Sequence, residues 1–240
     1  MSATSPTEVP TMAPTAYVNT VSNSICDQLD PGDVFIYVVA SDDPDGIGFL
    51  ALEDLVSPLK LYMTDNPWTG LDFGTSEGTV SLVVPPAGFA TGTDFGYGFD
   101  FGANNDPWTE EQGQFNFGVA GDSLFLYCEG INGTINPLVG FTNAGDGSWA
   151  EPGLPESSYG SELSALPVEL QKVGNVALPH FDNYQYKGPT GVNKTELQKA
   201  MMDPENWEGT DEGLGDQSSS TTFRKNVVVV LVVGIMAIIY

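Results

Sequence analysis

The run Ser41-Asp42-Asp43-Pro44-Asp45-Gly46 places oxygen-bearing side chains at the first, third and fifth positions of a short loop and glycine at the sixth. That is the opening of an EF-hand, whose oxygens wrap a calcium ion while the glycine permits a sharp turn. The match stops there: Pro44 interrupts the ligand run, and the twelfth position, where a bidentate glutamate closes the shell, is Leu52. The chemistry left to Asp42, Asp43 and Asp45 is a weak Ca²⁺ site, with Asp65, Asp72 and Glu77 as a second acidic grouping. A plain turn between two strands, tightened at Asp45-Gly46, explains the same residues. No other cofactor is expected.

The chain carries 32 acidic residues, so some Asp/Glu pair will meet the spacing a glycosidase needs whatever the fold. Acids alone therefore do not single out a catalytic pair. Asn66-Pro67-Trp68-Thr69-Gly70 and Asp106-Pro107-Trp108-Thr109-Glu110 echo one another, and Glu205-Asn206-Trp207 is a looser relative. Exposed indoles there would stack on sugar rings, whereas indoles plugging core corners after tight turns would be structural; the second is the expectation. His180 is the one histidine, which excludes schemes needing two imidazoles; a Ser-His-Asp triad could use it in principle. Gly96 to Gly102, GYGFDFG, lacks the lysine of a phosphate-cradling loop and reads as a surface loop or irregular strand. A catalytic activity is not expected.

Seven Lys plus Arg against 32 acids give a formal net charge of −25. Binding of nucleic acid through neutralised phosphates is excluded on that balance. Most of the acids are expected to form a solvated surface.

The elements that position these residues are short. With 240 residues, 41% of them hydrophobic, the chain can build one core of ordinary size. Runs rich in Val, Ile, Phe and Tyr at 34–40, 48–52, 59–64, 79–84, 114–119, 123–128 and 138–141 are separated by Gly, Pro, Asp and Asn clusters. In Thr79-Val80-Ser81-Leu82-Val83 the apolar and polar side chains alternate, the period of a half-buried antiparallel strand. A helix capped by Asn193 or Thr195 and stopped by Pro204 sets Leu197, Ala200 and Met201 on one face. The expected class is all-β: an antiparallel β-sandwich with one short C-terminal helix, plus a hydrophobic C-terminal tail. The organisation is a Ser/Thr/Pro-rich segment over 1–24, a sandwich domain over 25–211, an acidic, Ser-rich linker over 212–226 and the tail over 227–240.

Val227 to Tyr240, VVVVLVVGIMAIIY, is uncharged. As a helix its roughly 14 residues rise about 21 Å, short of the roughly 30 Å hydrocarbon core. The pattern matches a GPI-attachment signal, with Gly213, Gly215 or Ser218 as the candidate lipid-attachment residue. A membrane span is the rival reading, and in a tail-anchored protein Arg224-Lys225 would flank it on the cytosolic side. Met1 to Tyr17 offers neither a basic region nor an apolar run, so a surface location expects a precursor beginning elsewhere. Cys26 and Cys128 allow one intramolecular disulfide, and Asn132-Gly133-Thr134 and Asn193-Lys194-Thr195 are glycosylation acceptors in form.

PGDVFIYVVASDDPDGIGFLALEDL, KLYMTDNPWTG, SEGTVSL, GDSLFLYCEG and NKTELQKAMMDPENWEG occur in that order. This succession resembles the β-rich extracellular module of secreted and surface-anchored bacterial proteins, a lamin-tail-like sandwich often found beside secreted nuclease domains. TSPTEVPTMAPT is similar to the linkers of algal surface proteins such as those of diatoms. The resemblance covers about 30–211 and implies a noncatalytic extracellular sandwich with no catalytic residues to carry over. The expected function is a cell-surface-anchored module at the extracellular face of the cell membrane, for adhesion or matrix or wall interaction. Its partners would be the membrane, through the tail, and an extracellular protein or polysaccharide. A carbohydrate-active hydrolase domain using an Asp/Glu pair and a cytosolic tail-anchored adaptor are the alternatives.

Overall fold

In the computed structural model, residues 22–41, 45–100, 107–155, 158–159 and 163–212 are described. Asp42, Asp43, Gly213, Gly215, Ser218 and the tail over 227–240 lie outside them. Among the described residues no helix is long and apolar enough to cross a membrane.

β1 (Val34–Ala40) and β2 (Gly46–Ala51) pair antiparallel with Ala40 opposite Gly46, so the acidic loop joins the two strands of a hairpin. They sit at the centre of a five-stranded sheet ordered β11-β10-β1-β2-β5, completed by β5 (Asp94–Tyr97), β10 (Asn183–Tyr186) and β11 (Trp207–Thr210). The second sheet is ordered β6-β4-β3-β7-β8-β9 and comprises β3 (Lys60–Thr64), β4 (Thr79–Val83), β6 (Thr109–Gln112), β7 (Ser123–Glu129), β8 (Ile135–Thr142) and β9 (Asn175–Ala177). Phe35, Phe49 and Phe95 of the first sheet and Leu61, Met63, Val80, Leu82, Leu124 and Leu126 of the second share one buried core. Each such side chain contributes about 1.5–3 kcal/mol when withdrawn from water. The sandwich and its antiparallel character follow the sequence expectation, with one departure: β9 joins β8 in parallel.

The strand expected over 114–119 does not form. Phe115 and Phe117 are buried as the alternation requires, yet this stretch joins neither sheet. Its amides are held by carboxylates instead, as described below. Conversely, β6 reads Thr-Glu-Glu-Gln and is exposed throughout, an edge strand with no apolar pattern to announce it.

The helix Lys194–Met201 forms where expected, with Asn193 as N-cap accepting the Glu196 amide at 3.0 Å. Leu197 and Met201 enter the core, and Ala200 packs against it half-buried. Lys194 Nζ reaches both Asp33 Oδ1 and Glu53 Oε1 at 2.6 Å, fastening the first helical turn to the segment that opens β1.

A short helical turn over 22–26 carries Cys26, which is disulfide-bonded to Cys128 in β7 with the Cα atoms 5.8 Å apart. Asn136 Nδ2 donates to the Cys26 and Leu29 carbonyls, and Ser22 Oγ accepts the Lys60 amide. The turn is thereby fixed to β3, β7 and β8 at one end of the second sheet.

Candidate functional site

The side chains of β7 divide between two environments. Leu124, Leu126 and Cys128 face the sandwich core, while Phe125 and Tyr127 point to the outer face of the second sheet. There they meet a smaller aromatic layer. Phe73 lies 5.2 Å from Phe125 and 4.8 Å from Tyr127, Tyr62 stacks on Tyr127 at 5.1 Å, and Trp149 sits 5.5 Å from Phe125. Trp68 packs its edge on Phe73 at 5.0 Å. Pairs of this kind add about 0.5–1.5 kcal/mol beyond area burial.

On this layer lies a groove of about 750 Å³, within the usual range of ligand sites. Trp68 is held at its edge by backbone bonds to the 164–165 segment: its amide donates to Ser164 Oγ at 2.7 Å and its carbonyl accepts the Ala165 amide. The next residues form a tight turn in which the Thr69 amide and hydroxyl both donate to the Asp72 carbonyl. Gly70 has φ +105°, a backbone region that side chains rarely adopt, and the turn needs it. Leu71 is left 92% exposed beside Asp72. The 3₁₀ turn Val168–Leu170 also lines the groove: Leu170 is buried, its carbonyl bonded by Asn175 Nδ2, while Val168 is 69% exposed. Glu169 and Glu129 complete the acidic lining, and among the described residues no Lys, Arg or His lines the groove. Glu129 also lines a second hollow of about 170 Å³ with Lys60 and Tyr62. Lys60 lies over the Tyr62 ring at 4.7 Å and pairs with Glu111 at 2.7 Å.

A second polar constellation is inside the protein. Three successive amides, those of Asn116, Phe117 and Gly118, donate to Asp65 Oδ2 (2.9 Å), Asp45 Oδ2 (3.0 Å) and Asp122 Oδ2 (3.0 Å) respectively. Asp65 Oδ1 takes the Gly78 amide and Asp122 Oδ1 the Ser123 amide. Burial pushes the Asp65 carboxyl up to about 6, against the opposing pull of its amide donors and with Asp45 adding to the rise. Burial likewise holds the Asp122 carboxyl well above the usual carboxylate range. These acids replace a neighbouring strand for the 114–119 segment.

Of the calcium candidates, Asp45 uses one oxygen on the Phe117 amide, and Asp42 and Asp43 lie outside the described residues. Asp65 belongs to the buried clamp, whereas Asp72 lines the groove and its Oδ1 accepts the Phe73 amide. Among the described residues no group of three or more His, Cys, Asp or Glu side chains could hold a metal ion. Trp108 and Trp207 pack against the core and donate to the Gly96 and Met201 carbonyls. Trp149 covers Phe125, so Trp68 is the indole that lines the groove. His180 is exposed, with Nε2 bonded to the Val119 carbonyl. Asn132 and Asn193 are both exposed. Glu129, Val168 and Glu169 drew no attention in the sequence; the available signal was Leu71 and Val168, apolar side chains each set beside an acid in a turn.

No protein-family model, curated protein or solved structure matches the chain.

Proposed function

We propose that the chain is a noncatalytic, membrane-anchored β-sandwich module of the extracellular cell face, serving adhesion or matrix or wall interaction. The observation that carries this reading is the Cys26–Cys128 disulfide. Bonded cysteines suit an oxidising compartment and sit poorly with a cytosolic tail-anchored adaptor, which predicts two thiols. The apolar tail over 227–240 supplies the anchor in the manner of a GPI signal, with Gly213, Gly215 or Ser218 receiving the lipid. Glycans on Asn132 and Asn193 would meet open solvent, since both residues are exposed. The resemblance to lamin-tail-like extracellular modules supports the same reading.

The hydrolase alternative draws support from the groove, which Asp72, Glu129 and Glu169 line together with Trp68. It is the weaker of the two because Trp108, Trp149 and Trp207 are engaged in packing and leave one indole for a sugar. The test is antibody staining of a tag placed between Ala16 and Tyr17 on intact, unpermeabilised cells. Staining is the expected result; staining only after permeabilisation would overturn the surface assignment.

A further inference from the structure

The groove on the outer face of the second sheet combines two features that folding alone does not explain. Leu71 is presented to water by a turn closed by the Thr69 amide and hydroxyl on the Asp72 carbonyl, and Val168 by a short turn whose next apolar residue, Leu170, is buried. Between and beside them stand Trp68, Asp72, Glu129 and Glu169. No ion pair joins these three acids to a cation among the described residues, although Lys60 and Lys194 are both paired elsewhere. We propose that this groove binds a basic peptide segment of a partner protein, its Lys or Arg side chains meeting Asp72, Glu129 and Glu169 and its apolar side chains resting on Leu71, Val168 and Trp68.

Charge complementarity selects this occupant. An anionic polysaccharide or phosphorylated segment would be repelled by the groove acids and by the net charge of −25. A neutral glycan would leave three carboxylates without counter-charges and would gain little from exposed aliphatic side chains. A basic peptide satisfies both kinds of lining, its cations drawn in by the field and its apolar groups withdrawn from water. The proposal names the partner class for the adhesive role and rests on that reading only for its place in the cell.

The experiment is fluorescence-anisotropy titration of the purified full chain, held in detergent, with a labelled ten-residue peptide of alternating Lys and Leu at physiological salt. Two triple variants are compared: Asp72→Asn with Glu129→Gln and Glu169→Gln in the groove, and Glu196→Gln with Glu205→Gln and Glu212→Gln outside its lining. Both remove the same charge. The proposal predicts that the groove set weakens binding at least about ten-fold while the outside set changes it less than about two-fold, and that Leu71→Ser with Val168→Ser also weakens it. Equal losses for the two triple variants would reveal diffuse attraction to an acidic surface and overturn the proposal. So would binding of a neutral glucan hexasaccharide with quenching of Trp68 fluorescence in the absence of peptide binding. Because the titration is made on isolated protein, its failure leaves the surface assignment untouched, and failure of surface staining leaves the titration interpretable.

Discussion

Asp65 accepts the backbone amide of Asn116 across 2.9 Å although the two residues are 51 positions apart in the chain. Asp45 and Asp122 take the next two amides, so three acids from three separate segments hold one unpaired stretch of backbone. The cost is that Asp65 and Asp122 are both buried, at 2% and 3% exposure, in a strongly acidic protein.

That cost makes stability depend on pH. Burial raises the Asp65 carboxyl from 3.8 to about 6, so the folded state holds this proton more tightly than the unfolded chain does. Its contribution to folding is therefore greatest below about pH 4 and declines as pH rises through about 6. The shift corresponds to at most about 3 kcal/mol. The urea midpoint is expected to be higher at pH 5 than at pH 7.5, and Asp65→Asn is expected to reduce that difference. An unchanged difference in the variant would assign the dependence to Asp122, also raised by burial, or to general charge repulsion.

Closing a loop with a sequence separation of 102 residues, the Cys26–Cys128 bond should stabilise the fold by about 2–5 kcal/mol. Reduction, or the double change Cys26→Ser with Cys128→Ser, is expected to lower the melting temperature clearly. Protein isolated from its own cells under alkylating conditions should show no free thiol when titrated unfolded.

The two lysine bridges should differ in value. Asp33 is nearly inaccessible beneath Lys194, so Lys194→Met leaves a buried carboxylate without its counter-charge, held among the described residues by the Asp30 amide alone, and is expected to cost about 2–4 kcal/mol. Lys60 and Glu111 are each about a third exposed, and Lys60→Met should cost no more than about 1 kcal/mol. Urea denaturation of the two variants makes the comparison.

Asn193 stands at the start of the helix and also heads an acceptor triplet. Asn193→Ala removes the cap and is expected to cost about 1 kcal/mol, whereas Asn193→Asp keeps an acceptor for the Glu196 amide and should cost little. Thr195→Ala leaves the cap intact but destroys the triplet, and should reduce the mass loss on treatment with peptide N-glycosidase by one glycan, that on Asn132 remaining.

Much of the sandwich was legible because its central strands carry apolar side chains at the right period: β1, β3, β4, β7 and β8 lie within or beside the expected runs. The helix was legible from its cap and from Leu197 and Met201. β6 escaped because an edge strand needs no apolar face, and β5 reads from sequence only as a surface loop or irregular strand because Gly96 and Gly98 interrupt its aromatic run. The segment around Phe115 and Phe117 shows the opposite failure, since alternation reports which side chains turn inward and says nothing of what receives the amides between them. The groove was least legible. Trp68 and Asp72 were visible as residue types, but Glu129 and Glu169 join them only through the pairing of β7 with β8 and the Val168–Leu170 turn ahead of β9.

The central claim is a lipid-anchored module on the outer face of the cell. It is tested most directly by treating intact cells with phosphatidylinositol-specific phospholipase C and following a tag inserted between Ala16 and Tyr17. Release of the tagged protein into the medium is the predicted result. Retention in the membrane, with the tag shielded from external protease, would contradict the account and place the domain in the cytosol.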